Sequence, residues 1–149
     1  MAALSAAVFA VFAAIAALFA GHDANEAMLD QIRSSDGYAY YQAKGIKSAV
    51  LQSKTEILRS LGKDPSSDDR SSIERYRKEQ EGIKEEADRD SASSKAHMAR
   101  HVILARSVTF FQVAIAIAAT SVLTKKRPLW FLSLIFGATG AAFLLQALI

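Results

Sequence analysis

The sequence predicts an all-α integral membrane protein, with three transmembrane helices and a long extramembrane, coiled-coil-like helical hairpin. Three observations carry that expectation. Every aspartate, glutamate and histidine lies between Gly21 and Arg106, and the stretches on either side are almost purely apolar. Those apolar stretches have the length that a helix needs to cross a hydrocarbon core of about 30 Å, roughly 20 residues at 1.5 Å each. Within the polar middle, apolar residues recur in alternating steps of three and four, the period of a helix seam and not of a strand.

Residues 2–20 form the first segment, a run with Ser5 as its only polar side chain. A transmembrane helix is the expectation; Leu18-Phe19-Ala20-Gly21 has the small residues of a signal-peptide cleavage site, which makes a secretory leader the competing reading. Its alanines stand in small-xxx-small register, as at Ala6/Ala10 and Ala13/Ala17, which allows close approach of another helix.

The middle span, residues 21–106, is electrically balanced, with 15 Lys plus Arg against 15 Asp plus Glu, so the formal charge of +3 resides in Lys125, Lys126 and Arg127. No basic face is built into the polar part, and nucleic acid is excluded as the expected partner. Cysteine is absent, which removes disulfide and thiolate chemistry. In the first arm, about 24–61, the seam reads Leu29, Ile32, Ala39, Ala43, Ile46, Val50 and Ile57. Gly62 supplies a C-cap, 62–70 a turn, and Ser71 or Ser72 the start of the second arm, about 71–106. That arm continues the spacing through Ile73, Tyr76, Gln80, Ile83, Ala87, Asp90, Ser94, His97 and His101. Two thin helices bury little surface, so self-association into a homo-oligomer is expected.

Residues 107–124 and 129–149 are the second and third transmembrane segments, joined by a short basic loop at 125–128. Pro128 suits a helix start, and Trp130 an interfacial anchor. Ser133, Gly137 and Ala141, at four-residue spacing, form a helix-packing ridge. Because short loops obey the positive-inside bias, the basic loop is assigned to the cytoplasm and the hairpin to the periplasmic side of a bacterial inner membrane, in contact with the lipid bilayer.

Folding the hairpin about Pro65-Ser66-Ser67 makes facing residue numbers sum to about 133, which places Lys47 opposite Glu86 and Asp36 opposite His97. His97 and His101 stand i, i+4 on one face, so Asp36, His97 and His101 are the candidate metal ligands, against the simpler reading of a register-fixing Asp–His hydrogen bond. Tyr38, Tyr40, Tyr41, Gln42, Lys44 and Lys47 form the candidate interaction patch, an aromatic and cationic surface for an anionic or peptide partner. There is no Gly-rich phosphate loop and no nucleophile with a supporting base. The functional expectation is a non-enzymatic, homo-oligomeric membrane scaffold or interaction protein, or an accessory subunit of a larger membrane complex, without a cofactor. The alternative is a small oligomeric channel or transporter lined by Thr109, Gln112 or Ser133.

Tyr40 to Lys47, Glu79 to Ala87, and the ending from Leu123-Thr124-Lys125-Lys126-Arg127 to Trp130 and Gly140 are similar to an uncharacterised bacterial membrane protein family, domain of unknown function 4337. Members usually carry a tryptophan where Tyr38 stands and a charged segment before the first helix, and this sequence has neither. The resemblance implies the three-helix architecture and adds no chemistry.

Overall fold

The computed structural model describes all 149 residues, in three helices and no strands: α1 (Ala2–Ser60), α2 (Ser67–Thr124) and α3 (Arg127–Leu148). Each contains a stretch long and apolar enough to cross a membrane. Helices α1 and α2 run unbroken from an apolar stretch into a polar one, so no loop separates the two kinds of sequence. The chain divides into two compact units, one of residues Met1–Ala27 with Lys95–Ile149, the other of Met28–Ser94.

In the first unit, α1 contributes Ala13, Ala16 and Ala20 to the core, α2 contributes Leu104 and Phe111, and α3 contributes Leu144 and Ala147. Small residues on α1 let the bulky Phe111 sit between helices, stacked against Phe12 with ring centroids 5.9 Å apart. On α3 the buried face is Ser133, Gly137, Gly140, Leu144 and Ala147. The steps alternate four and three, so the face passes through Gly140 while Ala141 is only half-buried. A Cβ at Gly140 would stand 3.1 to 3.2 Å from the Phe111 ring, and Ser107 Oγ donates to the Gly140 carbonyl at 2.8 Å. Close approach, and not chain flexibility, is what this glycine supplies.

The second unit is an antiparallel pair of helical arms. The arms meet through small and polar residues: Asp30, Ser34, Ser48 and Thr55 of α1 are buried, as are Asp69, Ala87 and Ser94 of α2. Ser34 Oγ donates to the Ala87 carbonyl at 2.9 Å, and a Cβ at Gly37 would stand 2.9 Å from the Ala87 Cβ. The second-arm seam, Ile73 through Ser94, faces inward as the sequence predicts. The first-arm seam does not. Leu29, Ile32, Ala39, Ala43, Ile46, Val50 and Ile57 are all exposed, because the arms approach too closely for branched side chains to lie between them.

The turn keeps the expected Gly62 cap and differs in where the second arm begins. Gly62 has φ 71, Lys63 N–H donates to the Leu58 carbonyl at 2.9 Å and Gly62 N–H to Arg59 at 3.0 Å, the paired bonds of a Schellman cap. The second arm starts at Ser67, because Ser66 Oγ accepts from Asp68 N–H at 3.2 Å and Asp68 and Asp69 favour a helix N-terminus. Starting α2 four residues early supplies part of a larger change in the pairing: Lys44 meets Glu79 and Ser34 meets Ala87, so facing numbers sum to about 121 to 123. Gly62→Ala is expected to cost about 1 kcal/mol in thermal unfolding, since only glycine holds that φ without strain.

Candidate functional site

Two groups of polar side chains are built at sites the helices determine. The first lies in the unit that contains α3. Asp23 of α1 is 2% exposed, although it follows an apolar run by only three residues. Its Oδ1 is 3.0 Å from His97 Nδ1 and its Oδ2 is 3.5 Å from Arg100 Nε, so α2 supplies both partners from positions three apart on one face. Arg100 Nε also donates to the Ala147 carbonyl at 3.0 Å, satisfying an acceptor in the last turn of α3. His101 Nδ1 lies 2.8 Å from the Ala20 carbonyl of α1. One buried carboxylate, one histidine and one arginine thus tie all three helices together.

This arrangement replaces the expected trio of Asp36, His97 and His101. His97 engages Asp23, and Asp36 belongs to the other unit, lining a groove with Arg33, Gly37, Tyr40, Ile83, Glu86, Ala87 and Asp90. No group of three or more His, Asp or Glu side chains is arranged to hold a metal ion. The misplacement follows from the register of the two arms: facing numbers shifted by about ten move an acid-histidine pair by nearly three helical turns. Asp23 was legible as the continuation of Ala13, Ala16 and Ala20 in three- and four-residue steps.

The second group stands on the hairpin. Lys44 is bridged to Glu79 at 2.5 Å, with its ammonium 5.2 Å from the Tyr40 ring centroid and 5.0 Å from that of Tyr76. Tyr38 donates its hydroxyl to Asp88, which also accepts from Lys84 at 3.0 Å. Gln80 donates to the Tyr41 carbonyl at 3.1 Å, and Lys54 bridges to Asp69 at 2.8 Å. The candidate interaction patch is therefore divided. Tyr38, Tyr41 and Lys44 hold the second arm, whereas Tyr40, Gln42 and Lys47 are exposed.

Protonation follows these contacts. The hydrogen bond from Lys44 lowers the Glu79 carboxyl below its ordinary value of 4.5; the hydrogen bond to Glu79 raises Lys44, and that to Asp88 raises Lys84, both from 10.5. Asp88, accepting its hydroxyl proton, raises Tyr38 from 10.0. A lowered carboxyl contributes stability above its unfolded value and loses it as pH falls through the folded one, while the raised groups lose theirs as pH climbs through their folded values. Hairpin helicity is therefore expected to be level from about pH 5 to pH 10 and to soften on both sides. Far-UV circular dichroism checks this, and Lys44→Met should move the acid limb up toward the ordinary carboxylate range.

The remaining polar residues of the apolar stretches do not converge within one copy. Thr109 and Gln112 are exposed, Thr109 Oγ1 donates to the Ala105 carbonyl, and the fully buried Ser133 donates to Trp130. Trp130 in turn donates from Nε1 to Ser5 Oγ at 3.1 Å, fixing the start of α3 against the start of α1.

A family model described as a domain of unknown function, DUF4337, matches residues 1–149. The chain belongs to that family. No curated protein and no solved structure matches it.

Proposed function

We propose that the chain is a non-enzymatic membrane scaffold or interaction protein, homo-oligomeric or an accessory subunit of a larger membrane complex, held in the bacterial inner membrane with its hairpin on the periplasmic side. The observation that supports it most is the division of labour in the hairpin. Small and polar side chains join the arms, and the large apolar ones of α1 face outward, where a water-exposed helix keeps them only at the cost of solubility. The three apolar stretches support the membrane location.

Native mass spectrometry of protein extracted in detergent or nanodiscs is expected to give a discrete assembly larger than one chain and unchanged by a chelator. A strictly monomeric mass with no co-purifying subunit overturns the scaffold. A reporter active only in the periplasm is expected to work when inserted at Ser66; inactivity there reverses the orientation.

A further inference from the structure

We propose that the outward apolar stripe of α1 seats the same stripe of a second copy, in parallel and in register. This rests on the scaffold reading and names its partner and its face. From Leu29 to Ile57 the stripe follows steps of three and four, with Leu29, Ala43, Val50 and Ile57 in one set of positions and Ile32, Ala39 and Ile46 in the other, interrupted by Asp36 and Ser53. That is the repeat of a left-handed coiled coil. The stripe's residues are exposed while the buried face of α1 holds α2. Asp36 lines a groove with Ile83 and Ala87, and Ile46 and Val50 line one with Tyr76, but most of the stripe is open to another copy's α1.

The exposed area matches what such a pairing needs. Ile46 is 66%, Val50 62%, Ile57 60%, Ile32 51% and Leu29 44% exposed. Wholly covered in both copies, these faces with Ala39 and Ala43 would bury on the order of 1,200 Å², the lower edge of a stable specific interface. The flanks select the direction. In a parallel pair the neighbouring flank positions bring Met28 to Arg33, Ser35 to Tyr40, Gln42 to Lys47, Ala49 to Lys54 and Glu56 to Leu61, with no like charges together. An antiparallel alignment centred on Ile46 and Val50 sets Lys47 against its own counterpart instead. Copies inserted in one membrane with one orientation are parallel already. Asp36 is the one charged residue in the seam, and in register it meets a second carboxylate, so it limits the strength of the association.

The chain has no cysteine, which makes the test clean. Ile46→Cys and Ile32→Cys are expected to give disulfide-linked dimers in nanodiscs or membranes, since facing seam positions bring Cα atoms within the roughly 4.4–6.8 Å of a disulfide. Glu85→Cys, exposed on α2, is expected to give few. The double variant Ile46→Asp with Val50→Asp should be monomeric by native mass with unchanged helicity, and Asp36→Leu should tighten association at least tenfold. An oligomeric mass with no cross-link at Ile46 and Ile32, or with cross-linking equal at Glu85, overturns the assigned face and leaves the scaffold standing. A monomeric mass for the unmodified chain overturns this pairing, and with no co-purifying subunit it overturns the scaffold as well.

Discussion

Asp23→Ala is expected to be the most damaging single substitution among the polar residues, lowering stability by about 2 kcal/mol in detergent or nanodiscs. The carboxylate is buried, accepts from His97 and forms an ion pair with Arg100 at 3.5 Å, and a hydrogen bond to a charged group contributes about 1.5–3 kcal/mol. His97 and Arg100 are partly exposed and recover some hydration, which keeps the estimate at the lower end. The loss should also appear at a distance in sequence. Arg100 caps the Ala147 carbonyl, so the C-terminal turn of α3 should exchange its amide protons faster in the variant. Asp23→Asn, which retains an acceptor, should recover part of the loss; equal stability in all three proteins would mean that the carboxylate does not join the helices.

Gly140→Val carries the second large effect, a destabilisation of about 1–3 kcal/mol from overpacking. Three atoms of the Phe111 ring already stand within 3.2 Å of where a Cβ would be, and the ring is 1% exposed in an interior that packs closely. Separating α3 from α2 also breaks the bond from Ser107 to the Gly140 carbonyl, which in an apolar surrounding has no water to replace it. Gly82→Ala is the matched control, because nothing lies within 4 Å of its Cβ position and alanine is the better helix former. Thermal unfolding followed by circular dichroism should separate the two variants clearly.

Much of the fold is written locally and could be read from the sequence. Apolar length marks the three long helices, Gly62 the end of α1, and the heptad spacing from Ile73 to Ser94 the inward face of α2. What could not be read is the rotation of α1 about its own axis. Its large apolar residues and its small polar residues form two seams with the same three-four period, and periodicity alone does not say which one faces the partner helix. Hydrophobicity favours Ile46 and Val50; the contacts favour Ser34, Gly37 and Ser48, because Ala87 and Gln80 approach the α1 backbone closely. The turn compounded the problem. Ser66, Ser71 and Ser72 are all competent N-caps by residue type, and choosing among them fixes every pair across the hairpin. Folding about Pro65-Ser66-Ser67 thus sets Asp36 against His97, where the structure sets Asp23.

The rotation and register of α1 against α2 underlie both the outward stripe and the assignment of partners, and a disulfide scan across the arms tests them most directly. Ser34→Cys combined with Ala87→Cys is expected to oxidise to an intramolecular disulfide in the otherwise cysteine-free chain, visible as a mass loss of about two hydrogens and a gel shift reversed by reductant. Lys47→Cys combined with Glu86→Cys, the pair that a sum of 133 places face to face, is expected to stay reduced. Efficient closure of the second pair and not the first would contradict the account, returning the apolar stripe to the inside of the hairpin.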